Sequence, residues 1–114
     1  MDLELIQSRL RKFAEDRDWE QFHSPKNLVM ALSVEVAELM EIFQWSNSGG
    51  LDEVKDAYKR KQIEQEIADV FNYLVKIADA LDIDLENASL DKIAENEKKY
   101  PIDKFKGTAK KYNQ

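Results

Sequence analysis

The sequence contains no cysteine, one histidine, three glycines and two prolines among its 114 residues. The absence of cysteine excludes disulfides and thiolate metal ligands. A single histidine cannot supply the two Glu-x-x-His motifs of a di-iron carboxylate bundle. No nucleophile motif accompanies His23, which argues against a hydrolase that uses an activated Ser or Cys. No apolar run reaches the roughly 18 residues of a membrane span, and the N-terminus does not resemble a signal peptide, so we expect a cytoplasmic protein.

The charge of the chain limits its partners. The formal net charge is −6, and 35% of the residues are charged. A protein of this charge repels DNA and RNA, so we expect neither a nucleic acid nor a membrane as partner. The length argues for one domain with a modest core of its own.

The few glycines and prolines lie at boundaries between helices. Ser24-Pro25 has the form of an N-cap followed by proline at the first helical position, and residues 47–50 (Asn-Ser-Gly-Gly) form a loop. Between the boundaries apolar residues recur at intervals of three and four. This pattern predicts four helices, at about 3–16, 25–45, 54–80 (or starting only at 59) and 85–99.

The predicted fold class is all-α, a subunit that resembles a four-helix bundle. We expect the helical domain to cover residues 1–101 and a basic C-terminal tail to cover residues 102–114. The second helix is apolar on nearly all sides from Leu28 to Trp45, which is typical of a central, buried helix. A chain of this size has little material to surround such a helix. We therefore expect a dimer or a dimer of dimers, that is, a homodimer or homotetramer.

Two pairs of acidic residues lie within apolar stripes of the second and third predicted helices. The pairs are Glu35 with Glu38 and Glu66 with Asp69, each at i, i+3, so both carboxylates of a pair point the same way. On a helical wheel Glu35 falls between apolar positions. Such carboxylates lose hydration and repel each other, which costs several kcal/mol per group unless something compensates.

A divalent cation compensates for four converging carboxylates if the two helices pack face to face. Mg²⁺ prefers oxygen ligands and keeps open positions for water and phosphate oxygens. Two alternatives remain open from the residues alone. A single acidic pair on a helix is more often solvated surface, and buried carboxylates can be neutralised by Lys or Arg instead of a metal.

The acidic motifs resemble a known signature. Glu35-Val-Ala-Glu38 followed by Glu66-Ile-Ala-Asp69 is similar to the ExxE…ExxD pattern of the MazG-like all-α nucleoside triphosphate pyrophosphohydrolases. The flanking residues resemble the dCTP pyrophosphatase branch of that family along nearly the whole chain. One departure is Leu10, where a mammalian member has a histidine, so the base preference could differ.

The resemblance implies hydrolysis of a nucleoside triphosphate, with dCTP or a related dNTP as the first expectation, to the monophosphate and pyrophosphate. Its cellular role would be the removal of surplus or damaged nucleotides. The implied Mg²⁺ ligands are Glu35, Glu38, Glu66 and Asp69, of which Glu35 or Glu38 would orient the attacking water or accept its proton. The implied substrate-binding residues are Trp19, His23, Trp45, Tyr73, Lys92 and Asn96.

A non-enzymatic interpretation competes with this one. A helical module that oligomerises or acts as an adaptor in response to a metal would also need clustered carboxylates. Such a module predicts that Mg²⁺ changes the assembly state while no nucleotide is consumed. It would not require the Trp, His and Asn positions that flank the acidic motifs.

Overall fold

The computed structural model describes residues 1–111 and 113–114, and within them all regular structure is helical. The α-helices are α1 (Leu3–Asp16), α2 (Pro25–Phe43), α3 (Ala57–Ala80), α4 (Leu85–Lys99) and α5 (Ile102–Phe105). Two short 3₁₀ helices, Glu20–Phe22 and Leu51–Val54, precede α2 and α3. The predicted all-α class is confirmed, and the four predicted helices are all present. None of the described helices has the length and apolar character needed to cross a bilayer.

Short polar side chains fix where four of the helices begin. Asp2, Ser24, Asp56 and Asp84 each accept a hydrogen bond from the backbone N–H three residues later, at 3.0, 3.2, 2.9 and 3.0 Å. These bonds satisfy amides that the first turn of a helix leaves without a partner. The cap at Asp56 explains why α3 starts between the two starting points that the periodicity allows.

The loop after α2 is organised by one carboxylate. Glu53 accepts hydrogen bonds from the Ser46 hydroxyl and from the backbone N–H groups of Asn47 and Ser48, the latter two at 3.0 Å. These bonds lower the pKa of Glu53 to about 2, because they favour its charged form. The loop ends α2 at Phe43, two residues before the predicted end.

Residues 1–82 form one compact unit, in which α2 packs along α3 and α1 also contacts α3. Its core is small. Leu28 on α2 and Val75 on α3 are each 1% exposed, and Ala14 on α1 is 3% exposed. These side chains form the buried contacts among α1, α2 and α3.

One side of α2 is apolar and exposed. Val29, Met30, Val34, Val36 and Met40 are 47–61% exposed. At 100° per residue these five positions share one side of the helix, away from the side that carries Leu28 and Glu35. The prediction of a central helix buried on most sides does not hold within this chain, where only one side of α2 is covered.

Residues 83–114 form a second compact unit that contains α4 and α5. Helix α5 was not predicted. It follows Pro101, and its Phe105 ring packs edge to face on Tyr100 with 5.0 Å between ring centroids. The segment predicted as a basic C-terminal tail therefore begins with one helical turn. The predicted boundary between a domain (1–101) and a tail (102–114) stays a prediction.

Candidate functional site

Three of the four predicted carboxylates meet where α2 and α3 pack together. One oxygen from each of Glu35, Glu38 and Glu66 lies within 4.8 Å of the others. Glu35 and Glu38 are one turn apart on α2, and Glu66 faces them from α3. The i, i+3 spacing thus places two acids of one helix opposite an acid of the next, as the sequence predicts.

Two oxygens of this acidic trio (Glu35, Glu38 and Glu66) have no partner. Among the described residues nothing donates a hydrogen bond to Oε2 of Glu35 or to Oε2 of Glu66, although both atoms are buried. None of the trio forms an ion pair in the described part of the chain. The alternative of carboxylates neutralised by Lys or Arg therefore does not hold within residues 1–111 and 113–114.

The electrostatics of the acidic trio favour a neutral or cation-bound state. Burial, a hydrogen bond with Glu38 and the charges of the neighbouring acids raise the pKa of Glu35 from 4.5 to about 7. Burial and the charge of Glu38 also raise the pKa of Glu66. Because Glu35 and Glu66 resist ionisation beside the other acids, either a proton or a cation must offset the charge of the trio. Unpartnered, oxygen-only donors of this kind fit a hard divalent cation.

Asp69 lies near the acidic trio but not within it. Its side chain is exposed, one turn beyond Glu66 on α3, and its charge contributes to the raised pKa of both Glu35 and Glu66. The structure therefore brings all four predicted ligands to one region. A role for Asp69 as the fourth ligand stays a prediction.

A small cavity next to Asp69 collects several of the predicted nucleotide-binding residues. It has a volume of about 110 Å³ and is lined by Phe13, Trp19, His23, Asp69, Tyr73 and Lys76, among others. The Trp19 indole packs edge to face against Phe13, with 5.6 Å between ring centroids. Trp19 is still 44% exposed, so its ring remains accessible to a ligand.

Trp45 is not part of this cavity. It follows α2, whereas Trp19 precedes α2, so the two indoles lie beyond opposite ends of that helix. Trp45 is 86% exposed and lines a separate cavity of about 340 Å³ with Glu41 and Lys59. The resemblance implies substrate-binding roles for both indoles, which line two separate cavities among the described residues; both roles stay predictions.

Lys92 and Asn96 lie on α4 in the second unit. Lys92 Nζ is 3.5 Å from Glu95 Oε2, and the Asn96 carbonyl accepts a hydrogen bond from the Tyr100 N–H at 2.9 Å. These contacts are local to α4. The predicted substrate-binding roles of the two residues stay predictions.

Lys76 also lies at this site, although the sequence indicated it only as the basic residue of the third helix nearest to the carboxylates. It lies on α3 three residues after Tyr73 and seven after Asp69, hence on nearly the same side of the helix. Its ammonium nitrogen lies 2.9 Å from Nδ1 of His23. The sequence contained one indication of this position, because Lys76 follows Asp69 and Tyr73 at helical spacing and so extends the row of polar residues that begins at the acidic motif.

Comparisons with known proteins show the family of the chain. The chain belongs to the MazG-like family, whose model matches residues 30–114. It is 40% identical over 111 residues to the rat protein named dCTP pyrophosphatase 1, and 39% identical over 113 residues to the human protein of that name. These alignments cover 96% and 98% of this chain but 65% and 66% of the relatives, so the chain spans about two thirds of their length.

A solved structure has a similar fold. The crystal structure of a pyrophosphatase from Archaeoglobus fulgidus matches with a TM-score of 0.78 and 41% sequence identity. The match covers 89% of this chain and 94% of that one. The helical fold that positions the acidic trio is therefore shared with a protein described as a pyrophosphatase.

Proposed function

We propose that this protein is a Mg²⁺-dependent nucleoside triphosphate pyrophosphohydrolase that converts a deoxynucleoside triphosphate, dCTP or a close relative, to the monophosphate and pyrophosphate. The observation that carries the proposal is the acidic trio, whose oxygens lie within 4.8 Å of one another. The names of the relatives, dCTP pyrophosphatase 1 in rat and human, supply the substrate class.

The residues of the trio fit a bound Mg²⁺. Two buried oxygens, one on Glu35 and one on Glu66, lack any partner among the described residues, and a cation would satisfy both. We assign Glu35, Glu38, Glu66 and Asp69 as the ligands. When bound, Mg²⁺ offsets the charge of the triphosphate and polarises the phosphoryl group.

The chain supplies the remaining chemistry through its own side chains. Glu35 or Glu38 holds a water molecule and accepts its proton as the water oxygen attacks the α phosphorus. The bond between the α phosphorus and the bridging oxygen breaks, and pyrophosphate leaves. Trp19 and Tyr73 offer aromatic faces beside Asp69 on which a base can stack, a contact worth about 1–3 kcal/mol per base.

The exposed side of α2 supports a homo-oligomer. Five apolar side chains, 47–61% exposed, form one face of this helix. Burial of apolar surface is favourable by roughly 25 cal/mol per Å². We propose that a second copy of the chain covers this face, in a homodimer or homotetramer, and mass determination by light scattering tests this directly.

The experiment for the activity compares Glu38→Gln with the matched control Glu64→Gln. Glu64 is also a helical glutamate, but it lies on α3 with its side chain 63% exposed. We expect Glu38→Gln to lower the Mg²⁺-dependent release of pyrophosphate from dCTP by at least about 100-fold, because several kcal/mol of charge stabilisation are lost. Glu64→Gln should retain wild-type turnover, and both variants should keep the helical circular dichroism spectrum.

The product and the substrate panel complete the test. Pyrophosphate, and not orthophosphate, must appear from the wild-type protein, with dUTP, dTTP and dATP assayed beside dCTP. Mg²⁺-induced assembly without turnover of any of these nucleotides would instead support the adaptor interpretation and overturn the proposal.

A further inference from the structure

Lys76 on α3 and His23, in the segment before α2, form a hydrogen-bonded pair within the first compact unit. Lys76 Nζ lies 2.9 Å from His23 Nδ1, across the contact between α3 and the segment that precedes α2. Both side chains are half-buried. Among the described residues His23 is the only hydrogen-bond partner of Lys76, and no carboxylate lies within ion-pair distance of it.

A neighbouring basic residue, Arg11, is fully paired with a carboxylate, in contrast to Lys76. Arg11 on α1 donates from Nε to Oδ2 of Asp79 at 2.7 Å, and a second N–H of Arg11 donates to the other oxygen of Asp79. That ion pair joins α1 to α3 and leaves neither charge uncompensated. Lys76 lies only three residues before Asp79, yet it is directed to a neutral imidazole instead.

Leu10, His23 and Lys76 separate two cavities. One is the 110 Å³ cavity next to Asp69, and the other has a volume of about 210 Å³ and is lined by Arg11, Asp79 and Glu20, among others. Leu10 contributes an apolar surface to the lining of both cavities. Lys76 therefore lines the same cavity as Asp69 and also borders the second one.

The charge of Lys76 is incompletely offset at this position. Glu20 is the acid whose charge acts on both Lys76 and His23, from beyond ion-pair distance. Burial lowers the pKa of Lys76, since it disfavours the charged ammonium. A half-buried ammonium with an unused N–H donor gains free energy when a ligand supplies an acceptor.

We propose that Lys76, held in place by His23, is a specificity-determining substrate contact that donates a hydrogen bond to a carbonyl oxygen of a pyrimidine base. This inference rests on the proposed function, because it takes the triphosphate to be bound at the carboxylates. Asp69, Tyr73 and Lys76 follow one another on one side of α3. Seven residues of helix span about 10 Å, which places Lys76 well away from a phosphate bound at Asp69.

The donors of the pair define what it recognises. A lysine ammonium has only donors, and the Nδ1 of His23 accepts one of them, so the remaining proton of the imidazole is on Nε2. The pair therefore presents N–H groups and no acceptor. It matches the 2-carbonyl oxygen shared by cytosine, uracil and thymine, which adenine lacks.

The experiment measures binding by calorimetry in the presence of Mg²⁺ for wild-type protein and Lys76→Met. The ligands are the non-hydrolysable α,β-imido analogues of dCTP, dUTP and dATP, together with inorganic tripolyphosphate. We expect Lys76→Met to weaken the dCTP and dUTP analogues about 10- to 100-fold, which is the worth of one hydrogen bond from a charged donor. Tripolyphosphate and the dATP analogue should bind within about twofold of wild type.

Lys61→Met is the matched control. Lys61 is also on α3, its side chain is 68% exposed and Glu64 is its one ion-pair partner among the described residues, so all ligands should bind as they do to wild type. Lys76→Gln keeps an N–H donor on a shorter chain and serves as the second variant if the methionine protein does not fold. Equal weakening of tripolyphosphate would show that Lys76 contacts phosphate, and unchanged binding of the dCTP analogue would show no contact. Either result overturns the inference.

The binding result for Lys76 can be distinguished from the hydrolysis result that tests the proposed function. Binding of the analogues does not require hydrolysis, so a protein that fails to release pyrophosphate still gives a result for Lys76. A protein that hydrolyses dCTP but shows no base-dependent effect of Lys76→Met keeps its proposed function and loses only this contact.

Discussion

Replacing Glu35 by glutamine in the metal-free protein should raise the free energy of unfolding at pH 8. Glu35 has two carboxylate neighbours, Glu38 and Glu66, with oxygens within 4.8 Å. Two unit charges at about that distance repel by about 1 kcal/mol in water and about 3.5 kcal/mol at an effective dielectric constant of about 20. Because the trio is partly open to solvent, which screens these charges, we expect a net gain of about 1–2 kcal/mol. Glutamine and glutamate have similar helix propensities, so the helix itself contributes little.

The gain should depend on pH in a defined direction. The pKa of Glu35 is raised from 4.5 to about 7, so between these values the folded protein binds a proton that the unfolded chain has released. The stability of the metal-free wild type therefore falls as the pH rises from about 4.5 to about 7 and then levels off. Glutamine does not titrate, so the advantage of Glu35→Gln should be largest above pH 7 and fade toward pH 4.5.

Thermal unfolding in EDTA, followed by circular dichroism between pH 5 and pH 8, measures this difference. In a chain of this size a gain of 1 kcal/mol raises the melting temperature by about 4 °C. Glu64→Gln is the control, since an exposed substitution is expected to change stability by no more than about 0.5 kcal/mol.

Addition of Mg²⁺ should reverse the order of the two proteins. At 100 times its dissociation constant a ligand stabilises the folded state by about 2.7 kcal/mol, and wild type should gain this amount while Glu35→Gln loses most of it. If Glu35→Gln is less stable than wild type at pH 8 in EDTA, or if both respond equally to Mg²⁺, the acidic trio is not a strained cation site and the reasoning is wrong.

Two further predictions concern the fold. Replacing Leu28, which lies on α2 and is 1% exposed, by alanine should cost about 2–5 kcal/mol in urea unfolding, whereas Leu5→Ala at a 48% exposed site on α1 should cost much less; similar costs for the two would contradict the described core. Glu53→Gln should destabilise the protein at neutral pH. The pKa of Glu53 is lowered to about 2, so its contribution is complete above about pH 4.5 and disappears as the pH falls toward 2. The melting temperatures of wild type and Glu53→Gln should therefore converge in acid, and a constant difference would refute the role of this carboxylate.

The helix boundaries show which parts of the fold are readable from local sequence. Ser24 and Asp84 act as caps through side chains that reach only three residues ahead, so the starts of α2 and α4 were predicted to the residue. The end of α2 was not predicted to the residue. The loop that follows it is held by hydrogen bonds to Glu53, which lies ten residues beyond the end of the helix. Helix α5 is a single turn, too short to show any periodicity, and Pro101 suggested only an interruption.

The acidic trio was predictable for a different reason. A carboxylate in an apolar stripe conflicts with its surroundings, and that conflict is visible in the order of the residues alone. The pairing of α2 with α3 then determines which acids meet. That pairing places Asp69 beside the trio and not inside it, and it sets Trp45 apart from Trp19. Neither outcome follows from the spacing along one helix.

Lys76 carries no such conflict in the sequence. A lysine on a helix is ordinarily solvated through its long side chain, and its register with Asp69 and Tyr73 does not by itself distinguish Lys76 from such a lysine. The position of Lys76 indicates a role only once the fold is known, because the fold places His23, from the segment before α2, with its Nδ1 2.9 Å from the Lys76 ammonium nitrogen. Acidic residues in an apolar stripe thus predict where a cation binds. Under the proposed function a donor that recognises a base is a single polar residue whose role depends on tertiary contacts, and the structure around Lys76 is where such a donor is proposed.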